Sequence, residues 1–177
     1  GISNILTAYG SQFLKKINSL EIIFADVDYT KNTKFSLPYS FSTIIDEFTM
    51  KPAVLRNKHL VFEKPHSGFK LYKFPDDFGE LDSFLTLHSE LATIPLYLKN
   101  KGIKNMEFRV TFPKEFSSKI LTLINLGFTK SDFINTTSAI MDKLIPDKQI
   151  FNDKEIIRVI FNKNFLLDAF SYSSKEV

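Results

Sequence analysis

"GIKNMEFRVTFPKEFSSKILTLINLGF", Gly102 to Phe128, changes period once, and that change decides the fold class. Met106, Phe108, Val110 and Phe112 alternate with Glu107, Arg109 and Thr111, the period-two signature of a strand over Asn105–Phe112. After Pro113 the apolar residues Phe116, Ile120, Leu123 and Ile124 recur at helical spacing, which predicts a helix over Lys114–Leu126. Gly127 ends it, because glycine enters the left-handed region without a Cβ penalty.

Working outward, helical spacing places Ile5, Leu6, Tyr9, Phe13 and Ile17 on one side of a helix within Ser3–Asn18. Leu20–Tyr29 reads as a strand, Lys31–Ser40 as a loop, and Ser42–Met50 as a short helix capped by Ser42. Val54–Phe74 suggests a hairpin in which Leu60–Glu63 pairs Phe69–Phe74 across the turn "KPHSG". Leu81, Phe84, Leu85, His88, Leu91, Ala92 and Leu98 form the stripe of a long helix, interrupted by Pro95 and ended by Gly102. Strands are expected over Asp132–Leu144 and Glu155–Phe161. The expected architecture is one α/β domain over residues 1–177, a mixed and mainly antiparallel sheet flanked by helices.

Composition narrows the function classes. The chain of 177 residues is 44% hydrophobic and 24% charged, an ordinary globular balance with enough length to bury a core without staples. Nineteen phenylalanines and no tryptophan point to a core built on Phe. Net charge is +3, and the three arginines, Arg56, Arg109 and Arg158, are scattered rather than gathered in a stripe, so nucleic acid is not an expected partner. The absence of cysteine excludes disulfides, thiolate metal sites and Cys nucleophiles. No apolar run has the length of a membrane span, so no membrane partner is expected, and the expected location is the cytoplasm.

The run "KNKGIKNMEFRVTFPKEFSSKILTLINLGF" resembles the second half of a GCN5-related N-acetyltransferase. In that family a helix ends in a Lys-Gly-Ile-like turn, and a strand and a helix ending in Leu-Gly-Phe follow; residues 58–162 have that order of elements. The resemblance implies acetyl-CoA or another acyl-CoA as cofactor. It would be held by backbone groups of Tyr72, Lys73 and Phe74 and of the turn Phe78, Gly79, Glu80, Leu81 and Ser83. Toward an amine acceptor, small molecule or protein, Tyr72 and Glu63 are the best substitutes for the family's acid and base; a cross-strand packing tyrosine and an exposed glutamate are the plain alternative. The sequence departs from the family at this turn. Phe78 stands where a basic residue is usual, Leu81 and Ser83 replace small residues, and Asp76, Asp77, Glu80 and Asp82 surround an anion site. Leu123 and Phe116 replace the family's usual tyrosine and asparagine on the helix. Two readings follow: an atypical acyl-CoA-dependent N-acetyltransferase, or a non-catalytic descendant of that fold that binds a protein.

Other constellations are weaker. "IIFADVDYT" matches the Asp-x-Asp-x-Thr word of haloacid dehalogenase-like phosphatases, with Asp26 as nucleophile and Asp28 as acid or base beside Mg²⁺; two exposed aspartates are the plain alternative. His59, His66 and His88 share no metal-ligand spacing, and no metal site is expected. His66 reads as a solvated turn residue, His88 as a core histidine. Ser36, Ser40, Ser117 and Ser118 lack a nucleophile-elbow context. Phe165, Leu166, Leu167 and Phe170 form a C-terminal apolar patch that packs on the domain, docks a partner or meets a second copy.

Overall fold

A computed structural model of the chain describes residues 1–28, 35, 37–75, 78–145 and 153–173. Half of the expected loop Lys31–Ser40 (residues 31–34 and 36), together with Asp76 and Asp77, lies outside them. The helices are α1 (Ile2–Ser11), α2 (Phe41–Thr49), α3 (Glu90–Tyr97), α4 (Lys114–Asn125) and α5 (Ile134–Met141). The strands are β1 (Ser19–Asp28), β2 (Ala53–Arg56), β3 (His59–Phe62), β4 (Lys70–Lys73), β5 (Glu80–Leu85), β6 (Asn105–Thr111), β7 (Asp153–Phe161) and β8 (Phe165–Ser173).

The eight strands form one mixed sheet in the order β3-β2-β6-β1-β7-β8, with β5 also pairing β6 and β4 pairing β5. β1 and β6 run parallel, and the other pairings are antiparallel. The expected fold class is therefore the observed one. β1 and β6 sit centrally because both their faces are covered. Leu20 and Ile22 pack on one face, with Met106, while Ile23 and Ala25 pack on the other, with Ile156.

The five α-helices of the described residues all cover the first face. One part of its core joins Leu98, Met106 and Phe161; another joins Phe41, Ile44, Phe48, Phe84, Val110 and Ile120, and Phe24 packs against both. The opposite face carries no helix among the described residues. There the β4–β5 hairpin folds over the sheet like a strap, burying Tyr72, Phe74 and Phe78 against Ile23, Ala25 and Ile156.

Several elements differ from the sequence reading. The expected hairpin between Leu60–Glu63 and Phe69–Phe74 does not form, since β3 pairs β2 instead. Its turn is Asn57-Lys58, both at positive φ (48° and 71°), the primed geometry whose twist matches a two-residue hairpin. Asn162 and Lys163 repeat the positive-φ pair (51° and 68°) between β7 and β8, there within a three-residue loop that ends at Asn164. The expected long helix is broken: Leu81, Phe84 and Leu85 belong to β5, whose pairing with both β4 and β6 overrides helical spacing. Only Glu90–Tyr97 is α-helical, with Pro95 inside it. Asp132–Leu144, expected as a strand, contains α5. The α4 end itself is as expected. Gly127 is left-handed (φ 85°), and the Phe128 N–H reaches the Leu123 carbonyl at 3.1 Å in a Schellman closure.

α1 departs most. Its buried arc is Ser3, Thr7, Gly10 and Ser11, while Ile5, Tyr9 and Phe13, expected to share a core-facing side, are 69%, 54% and 60% exposed. α2 starts at Phe41, capped by Ser40 rather than Ser42; the Ser40 hydroxyl accepts from the Thr43 N–H at 3.4 Å.

Candidate functional site

The strap gathers most of the residues that the sequence nominated. Tyr72 is buried on β4, and its phenol donates to the Glu21 carboxylate on β1. Burial, followed by that hydrogen bond, pushes its pKa far above the ordinary phenol range. Lys70 also binds Glu21, at 2.5 Å, and its ammonium lies 4.7 Å from the Tyr72 ring centre. Phe74 and Phe78 are buried, Lys73 and Glu80 are exposed, Leu81 is half-buried, and Gly79 is left-handed with open space around it. Ser83 is buried and donates to the Lys70 carbonyl at 2.8 Å. Glu63 stands apart in the segment after β3, half-buried, its N–H bonded to the Pro52 carbonyl. Of the turn at residues 78–83, Glu80 to Ser83 are already part of β5, so no helix N-terminus follows it to receive an anion.

Sequence reading missed the arginines, all of which lie on this face. Glu107 takes Arg109 Nε at 2.7 Å and Arg56 Nη2 at 2.8 Å. Burial pushes the Glu107 carboxyl up, but the two guanidiniums outweigh it and hold the group below the usual carboxylate range. Arg109 Nη1 then donates to the Gly68 carbonyl at 2.5 Å. Arg158 forms a bidentate pair with Asp168 (2.8 and 2.7 Å), donates to the Lys73 carbonyl at 2.7 Å, and lies 4.5 Å from the Phe74 ring centre. Two arginines rooted in the sheet thus hold two strap carbonyls. The signal was their rarity in a lysine-rich chain, since a buried fork favours guanidinium over ammonium.

The histidines also moved from expectation. His66 is not a solvated turn residue: its ring stacks on Phe48 (5.0 Å) and meets Phe69 and Phe84 edge-on, and burial lowers its pKa. His88 precedes α3, stacked on Phe108 at 3.8 Å and bound to Glu90, which also accepts from Ser3. Asp26 is buried, opposite Glu155 in the β1–β7 backbone register, in which Asp28 stands opposite Asp153. No group of three or more His, Asp or Glu side chains able to hold a metal occurs among the described residues.

The open surface lies elsewhere, at the sheet edge. β3 ends the strand order, and all four of its residues are exposed: Leu60 by 53%, Val61 by 37% and Phe62 by 62%. Beside it, between β2–β3 and α3, runs an apolar cleft of about 500 Å³. Leu55, Leu60, Leu91, Pro95, Leu96 and Ile103 line it, with Lys58 and Lys99 on its rim. An uncovered strand edge with apolar side chains is a template for a further strand.

No protein-family model matches the chain, and no curated protein matches it. Among solved structures, it is similar to the apo histidine-tagged saccharopine dehydrogenase (L-Glu forming) from Saccharomyces cerevisiae, with a TM-score of 0.68 at 7% identity. The match covers 95% of this chain and 56% of that one, so the chain spans little more than half the length of that protein. At that identity the likeness is one of fold. No helix among the described residues is long and apolar enough to cross a membrane.

Proposed function

We propose that the chain is a protein-binding module that takes an extended partner segment against β3. The observation that carries this reading is the exposed edge of Leu60, Val61 and Phe62 lying beside the α3 cleft. A partner strand laid on β3 gains main-chain hydrogen bonds, and its alternate side chains enter the cleft toward Leu91 and Leu96. Lys58 and Lys99 on the rim favour a segment whose apolar core has acidic flanks. Recognition accords with the strap better than acyl transfer does, because Tyr72, Ser83 and the arginines beneath it are engaged with one another. We propose the cytoplasm as the setting, which a fluorescent fusion would check.

Selection of a displayed random-peptide library on the immobilised protein tests the reading. Enriched peptides should alternate apolar residues, carry flanking Asp or Glu, and lose binding at least tenfold to Leu96→Glu. Their amide cross-peaks should map to residues 59–62. A melting temperature that rises with millimolar acetyl-CoA, together with no enriched peptide, would return the assignment to an acyltransferase.

A further inference from the structure

The side of α1 turned to solvent is the apolar one. Ile2, Ile5 and Tyr9 recur at steps of three or four residues along its exposed arc, Phe13 in the turn just after the helix continues the line, and they show 52%, 69%, 54% and 60% of their surfaces. Residues 1–14 include no Lys, Arg, Asp, Glu or His, so this arc holds no charged side chain. Nothing can be gained by rolling the helix inward. The site of a Gly10 Cβ would lie 2.6 Å from the Phe161 ring and 2.7 Å from Leu167, and Ser3 is hydrogen-bonded to Glu90. Small residues seat α1 tightly on β7 and β8, and that seating forces its large residues outward.

We propose that this face is the interface of a homodimer in which α1 packs on α1 of a second copy about a two-fold axis. Two observations select a second copy over a different partner. The arc is charge-free, so it meets itself without like-charge repulsion, whereas a polar or charged partner would find nothing to pair with. The surface is also self-complementary. Beside the ridge lies a hollow of about 230 Å³ between α1 and α3, walled by Ala8, Thr93, Ile94 and Tyr97, which can receive an Ile5 or Tyr9 side chain from the second copy. With Tyr97 (59% exposed), the stripe offers on the order of 600 Å² per copy, or roughly 1,200 Å² for the pair, the lower bound of a specific interface. The dimer is therefore a weak one, with a dissociation constant in the micromolar range. The surface is separate from the β3 edge, so the inference does not depend on the binding function proposed above.

Sedimentation velocity over roughly 1 μM to 1 mM tests the proposal, a range that spans the expected dissociation constant. The wild-type chain should pass from the mass of one copy to that of two. Ile5→Glu should weaken association at least 100-fold while keeping the wild-type circular dichroism; if Ile5→Glu fails to fold, Tyr9→Lys serves in its place. Leu126→Glu, which changes an equally exposed residue after α4 (67%), should leave the dimer intact. A wild type that stays monomeric throughout overturns the proposal and leaves the stripe to a different protein. A dimer dissociated by Leu60→Lys but not by Ile5→Glu also overturns it, in favour of pairing at β3.

Discussion

Arg158 shows how much a single side chain holds here. It joins Asp168, the Lys73 carbonyl and the Phe74 ring in one buried place, so Arg158→Ala strands a carboxylate and a carbonyl together. A loss of about 3–5 kcal/mol is expected, read as a lower midpoint in urea. Arg158→Lys should recover only part of it, because ammonium cannot reproduce the bidentate fork. Glu47 gives a prediction in pH. Burial pushes its carboxyl up to about 7, Asp46 adds to the rise, and the hydrogen bond from Tyr39 (2.7 Å) works against it. The folded value lies above the unfolded one, so this group's stabilising share is complete below about pH 4.5 and is lost as pH rises through 7. Between pH 5 and pH 8 the wild type should lose about 1–3 kcal/mol more than Glu47→Gln, measured by chemical denaturation at each pH. Glu90 and Glu107 act oppositely. Burial raises both, but hydrogen bonds from Ser3 and His88 to Glu90, and the two guanidiniums at Glu107, hold both below the ordinary carboxylate range, so their contribution fades as pH falls toward acid.

Among elements, the turns are the testable joints. Lys58, in a two-residue hairpin turn, and Lys163, in a three-residue one, occupy positive-φ positions that suit glycine better. Lys58→Gly should therefore stabilise by about 0.5–1 kcal/mol, a rise of roughly 1–4 °C in melting temperature, with Lys163→Gly behaving alike. The elements also show where periodicity suffices. Asn105–Phe112 and Lys114–Leu126 were readable because each keeps one period and is bounded by Pro113 or Gly127, and β1 was readable from its apolar run. β5 was not. Its Leu81, Phe84 and Leu85 follow helical spacing (i, i+3, i+4) rather than strand alternation, and only pairing with β4 and β6 makes the segment a strand. α1 misled for a different reason: the pattern correctly found an apolar stripe but could not say that Gly10 would bring the other side against Phe161. The hairpin turns were missed because Asn-Lys lacks the glycine that usually marks this geometry.

At the scale of the whole molecule, the sheet separates two kinds of interior. The helical face is mostly apolar and Phe-rich, as the composition foretold, with Glu90 bound to Ser3 and His88 set into it, whereas the strap face mixes Ile23, Ala25 and Phe74 with paired charges. The nominated Tyr72 and Ser83 do come together there, joined to partners that no local word in the sequence names, since Glu21 and Arg109 are distant along the chain. The β3 edge was visible only as a short apolar run. Its exposure follows from its place at the end of the strand order, which pairing alone determines. The arginine anchors have one more consequence, and it is chemical. Dicarbonyl reagents such as phenylglyoxal modify accessible guanidinium groups, and in the native chain Arg109 and Arg158 keep only 6% and 7% of their side-chain surface, against 38% for Arg56. Adduct mass at Arg109 and Arg158 should therefore accumulate only as fast as the β4–β5 hairpin lifts from the sheet. Those two residues form a built-in clock for that opening, with Arg56 as its internal standard.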